Sequence, residues 1–118
     1  MEELQITAVQ GTNGSRILHL HGPLTLRTAS AFQTTARQEG ESPLIVDLTR
    51  VPYVDSAGLG AILGVFVSAQ RKKIGFAVAG ASADRVRILF QMTHLADFLP
   101  SFPTVADAEA SLANAAGA

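Results

Sequence analysis

The chain has 118 residues, of which 47% are hydrophobic and 16% charged, with a net charge of -1. That length suits a single domain spanning 1–118 with a real core, and the composition is globular rather than disordered. No basic surplus marks a nucleic-acid binder, and the absence of cysteine excludes disulfides and thiolate metal sites, in keeping with a reducing compartment.

The acidic start, Met1-Glu2-Glu3, lacks the basic region of a signal peptide,. Leu4 to Val9 alternates Leu4, Ile6 and Ala8 against polar neighbours, the period of a strand with one buried face,. Asn13-Gly14 is a hairpin signal, and Arg16 to His21 reads as the returning strand,. His19 and His21 share a face as metal ligands do, but no third ligand has a fixed relation to them. A half-exposed sheet face is the expectation, with no metal and no cofactor.

Gly22-Pro23 breaks the strand. Leu24 to Gln38 reads as a weak helix, with Leu26, Ala29, Phe32 and Ala36 at helical spacing,. Thr25 or Thr28 is the expected N-cap and Gly40 the expected stop,. Leu44 to Leu48 is apolar on both faces apart from Asp47, as suits a strand covered by helices,.

A second helix is expected from about Ala57 to Lys72, with Leu59, Ile62, Leu63 and Phe66 inward,. Gly60 and Gly64 suggest close backbone approach there. The long apolar helix is interrupted by these glycines and ends in charge, so it does not read as membrane-spanning, and the expected location is the cytoplasm,. Ile74 to Ala79 reads as a short apolar strand, and Ser82 as the N-cap of a helix carrying Val86, Leu89 and Phe90,. Leu95 to Leu99 is ambiguous, and Phe102 to Val105 reads as a last strand. Thr104-Val105-Ala106-Asp107 resembles a capping box opening an alanine-rich helix towards Asn114,. Alternating elements behind a hairpin predict an α/β fold, a mixed sheet with about four helices packed on it.

The stretch Val51-Pro52-Tyr53-Val54-Asp55-Ser56-Ala57-Gly58-Leu59-Gly60 joins the apolar strand to the apolar helix. Ser56 therefore sits where free helix N–H groups favour an anion. Its hydroxyl could cap, attack an electrophile or accept a phosphate. A nucleophile elbow needs G-x-S-x-G, and Val54 stands where the first glycine belongs,. Gly58, Gly60 and Gly64 are spaced one residue too long for a dinucleotide fingerprint, and no P-loop exists,. The spacing thus argues against an enzyme, leaving a hydrolase or small-molecule binder as the weakest reading.

The run Leu44 to Gly60, with its D-S-x-G-L-G core at Asp55 to Gly60, closely resembles the signature of STAS domains, nearest to bacterial anti-sigma factor antagonists. The resemblance covers nearly the whole chain, including Ser82 to Thr93. It implies the STAS fold, no catalysis, and phosphorylation of Ser56 by an ATPase-fold serine kinase that is also the anti-sigma factor. Thr25, Asp55, Ser56, Ala57, Gly58 and Leu59 are the partner-binding residues it implies. Asp55 can cap the helix or meet the partner, and Gly58 and Gly60 either permit close approach at the turn or serve its conformation alone. In one departure, relatives carry an aspartate in G-x-[LI]-D where this chain has Gly22-Pro23-Leu24-Thr25, so the usual salt link to a kinase arginine is absent. That feature favours the alternative, a non-phosphorylated scaffold subunit in a signalling assembly or beside a membrane transporter. The oligomeric state, a homodimer included, stays open.

Overall fold

The computed structural model describes residues 3–38, 42–94 and 97–117. Five strands and four helices are found among them. They are β1 (Gln5–Gln10), β2 (Arg16–His21), α1 (Ala29–Arg37), β3 (Leu44–Arg50), α2 (Ser56–Arg71), β4 (Phe76–Ala79), α3 (Asp84–Met92), β5 (Ser101–Phe102) and α4 (Val105–Gly117). The sheet order is β1-β2-β3-β4-β5, with β1 antiparallel to β2 and the other neighbours parallel. A helix crosses between each parallel pair, as parallel strands require.

Strand periodicity sorts the core into two faces. Leu18 and Leu20 of β2, Leu44, Val46 and Leu48 of β3, and Phe76 and Val78 of β4 point one way. There they meet Phe32 of α1, Leu59, Ile62 and Val65 of α2, and Val86 and Phe90 of α3. Each such fully buried side chain contributes about 1.5–3 kcal/mol of transfer free energy. On the opposite face, Ile17, Ile45, Ala77 and Ala79 pack under Ala108 of α4, with Val105 and Leu112 beside it. Alanine on both sides lets α4 lie close to β4. The same helix reaches the β1–β2 turn, where the Glu109 carboxylate accepts from the Thr12 N–H and hydroxyl, each at 2.6 Å. These bonds hold Glu109 below its ordinary pKa.

Several expectations shift in three dimensions. The hairpin forms, but its turn is a short 3-10 helix, Thr12–Gly14, with Gly14 at φ +76. β1 is an edge strand, and only Ile6 of its six residues is even half-buried. The first helix starts at Ala29 rather than Leu24, which leaves Leu26 77% exposed instead of in the core. Neither threonine hydroxyl caps α1: Thr28 holds the N-cap position, but its hydroxyl turns back to the Pro23 carbonyl at 3.0 Å. Gly40 and Leu95 lie outside the described residues.

The N-cap position of α3 is Ala83, because the Ser82 hydroxyl bonds the Gly80 carbonyl at 3.2 Å instead. The last strand is shorter than expected, Ser101–Phe102. Gly60 meets nothing that a Cβ would touch, so the expected close approach is not there. By contrast Thr104 caps α4, its hydroxyl accepting from the Asp107 N–H at 3.1 Å. No helix among the described residues is long and apolar enough to cross a membrane.

Candidate functional site

The turn between β3 and α2 is fixed from below. Val51 and Val54 are buried and anchor it in the core. Val54 bridges Leu24 in parallel, the Leu24 N–H donates to the Tyr53 carbonyl at 3.2 Å, and the Asp55 N–H donates to the Leu24 carbonyl at 3.2 Å. The segment after β2 thus runs beside the turn as a short extra strand pair. Tyr53 is half-buried, and the Arg85 guanidinium of α3 lies over its ring, 4.7 Å from the centroid.

Asp55 is the N-cap of α2, in extended backbone at φ -93 and ψ -177. One carboxylate oxygen accepts from the Gly58 N–H at 2.8 Å, and the other accepts from the Leu26 N–H at 3.1 Å. The first satisfies an orphan donor of the helix. The second ties down the 22–28 loop. Asp55 therefore acts as a cap, one of the two roles its position suggested.

Ser56 follows as the first residue of α2 and is exposed. Among the described residues its hydroxyl makes no hydrogen bond. The hydroxyl stands beside the first-turn N–H groups, which have no intrahelical partner. Gly58 is buried under the loop, and a Cβ there would overlap the Leu24 carbonyl oxygen. Glycine is thus the residue that lets the loop sit on the helix start. Leu59 is buried, Ala57 and Thr25 are half-buried. The structure brings all six sequence-selected residues together. Of these, Ser56 is the most open, while Gly58 and Leu59 lie beneath the surface. Leu26 and Arg85 were missed. Leu26 keeps helical spacing with Ala29 and Phe32, which hides its exposure, and nothing in sequence pairs Arg85 with Tyr53.

A second polar group lies on the sheet face that α4 leaves uncovered. His19 Nδ1 is 2.6 Å from Asp47 Oδ2, and Asp47 Oδ1 accepts from the Thr49 hydroxyl at 2.5 Å and from its N–H at 3.0 Å. Burial by itself would raise Asp47, but the Thr49 hydroxyl and N–H and the His19 ring outweigh it and hold the carboxyl below its ordinary value. Among the described residues no group of three or more His, Asp or Glu could hold a metal ion.

The family model described as STAS domain matches residues 6–108. The anti-sigma-B factor antagonist of Listeria monocytogenes is 41% identical over 56 residues, 48% of this chain and 48% of that protein. The chain therefore spans about half the length of the curated relative it matches. Among solved structures, an anti-sigma factor antagonist from Mycobacterium paratuberculosis superposes with a TM-score of 0.82 at 20% identity, over 93% of this chain and 94% of that one. A sulfate transporter family protein from Wolinella succinogenes gives 0.76 at 19% identity, over 93% of each chain. At those identities the likeness is one of fold.

Proposed function

This chain belongs to the STAS domain family, and on that premise we propose that it is an anti-sigma factor antagonist switched by phosphorylation of Ser56. The 118 residues act as one non-enzymatic, cytoplasmic binding module. In the unphosphorylated state the turn at Thr25, Asp55, Ser56 and Ala57 docks on an ATPase-fold anti-sigma factor and so frees a sigma factor. That partner carries the catalytic base and the ATP: the γ-phosphoryl passes to Ser56 Oγ as its bond to the β–γ bridging oxygen breaks, ADP stays on the partner, and the Ser56 proton leaves to the partner's base. Neither nucleic acid nor membrane insertion enters this reading.

The observation that carries it is the exposed, unpaired Ser56 hydroxyl at the first position of α2. A phosphate there brings about -1.5 to -2 charge and stays beside free helix N–H groups, so the fold tolerates it. The same charge is unwelcome once a partner covers and desolvates the turn, so modification favours release. Gly58 and Leu59 support the surface from below rather than touching the partner.

The test is incubation with the anti-sigma factor kinase and ATP, with the adduct mapped by mass spectrometry. A single phosphate on Ser56, and lost binding by Ser56→Asp, are the expected results. Phosphate at another residue, or full binding by Ser56→Asp, would refute the switch. A second reading, a non-phosphorylated STAS scaffold in a signalling or transport assembly, rests on Thr25, which offers no charge beside Ser56. It requires that Ser56 stay unmodified by the kinase.

A further inference from the structure

The two edges of the sheet are guarded very differently. β5 is only two residues long, and shortness is one ordinary protection against edge-to-edge pairing. Among the described residues β1 has none of the usual protections. It runs six residues, Gln5-Ile6-Thr7-Ala8-Val9-Gln10, with no charge and no proline. Its register with β2 is continuous from Gln5 to Gln10, so no bulge twists it away, the one irregularity falling between β2 and β3. Five of its six side chains are exposed, Val9 at 39%. Such a strand presents a row of unpaired N–H and C=O groups ready for another strand.

We propose that β1 pairs antiparallel with β1 of a second copy, joining two sheets across a two-fold axis. An isologous contact sets each residue against its own kind of surface, so a charged strand repels itself and an uncharged one does not. Cross-strand neighbours point to the same side of a sheet, so the axis must centre on a residue, Thr7 or Ala8. Centred on Thr7, Thr7 meets Thr7, Ile6 meets Ala8 and Gln5 meets Val9. Centred on Ala8, Thr7 meets Val9 and Ile6 meets Gln10. Both settings place only uncharged side chains together.

The pairing is independent of Ser56, which lies on the turn after β3.

Sedimentation of the 118-residue chain from about 10 µM to about 1 mM covers the range of a small, weak interface. A monomer–dimer equilibrium is expected, with slower amide hydrogen exchange across residues 5–10 at the higher concentrations. Thr7→Lys places two like charges at or beside the axis and should weaken the dimer about tenfold or more. At concentrations where both are monomeric, its circular dichroism and urea midpoint should match the parent, since Thr7 is exposed,. The idea is overturned by a monomer throughout the range, by a dimer indifferent to Thr7→Lys, or by β1 amides on the side away from β2 that are protected only when the anti-sigma factor is added.

Discussion

Asp55 and Leu26, 29 residues apart, are joined by a 3.1 Å hydrogen bond from the Leu26 N–H to the Asp55 carboxylate. The other oxygen of the same carboxylate caps α2 through Gly58. One side chain thus sets both the start of the helix that bears Ser56 and the loop that lies beside it.

Asp55→Ala should therefore cost more than an ordinary cap. The cap itself is worth about 1 kcal/mol, and the bond to Leu26 adds about 1 more. A loss of about 2 kcal/mol in urea unfolding is expected, together with faster hydrogen exchange at the Leu26 amide. Asp55→Asn keeps an accepting oxygen for the cap and should lose less. Equal stability of the Asp55→Ala variant and the parent would refute the double role.

Glycines two residues apart should respond in opposite directions. Gly58→Ala pushes a methyl into the Leu24 carbonyl, an overpacking that costs about 1–3 kcal/mol. Gly60→Ala fills open space within α2 and should gain about 0.5–1 kcal/mol from helix propensity. Thermal or urea unfolding of the two single variants decides this, and the signs must differ.

The pH dependence follows from Asp47. Its folded pKa lies below the ordinary value of 3.8. As pH falls through that range, the unfolded chain takes up the proton first. The stabilisation is therefore fully present above about pH 4 and is lost as the pH drops through the folded value. Urea midpoints of the parent and of Asp47→Ala should lie furthest apart near pH 6 and converge towards pH 2.5. A gap that stays constant over that interval would contradict the assignment.

The Arg85–Tyr53 contact ties α3 to the Ser56 turn. An exposed cation–π pair is worth about 0.5–1 kcal/mol. A double-mutant cycle with Arg85→Met and Tyr53→Leu should return a coupling of that size, and a coupling near zero would show that the two side chains are mere neighbours.

The sequence was most legible where local chemistry and tertiary packing agree. Thr104 three residues before Asp107 and the apolar run of β3 each point one way and hold, and of the two roles open to Asp55 the cap is the one formed. It misled where two local options competed. Leu26 keeps helical spacing with Ala29 and Phe32, but the backbone from Leu24 is drawn into a strand-like pairing with Val54, so the helix begins later. Ser82 has the chemistry of a cap, yet the carbonyl of Gly80, at φ +71, lies within reach and claims its hydroxyl. Of the glycines read as approach points, Gly58 lies under a loop distant in sequence and Gly64 against the Gln33 side chain of α1, whereas Gly60 faces open space. Long-range contacts of that kind leave no periodic trace.

The Asp55 clamp grasps a main-chain amide, and every amino acid except proline supplies one. The side chain at position 26 is thereby spared any part in holding its own loop. It can drift from one protein to the next, reshaping what the neighbouring serine presents to the outside, while the scaffold beneath stays as it is. A lineage could retune whom it recognises one substitution at a time and never pass through a misfolded ancestor.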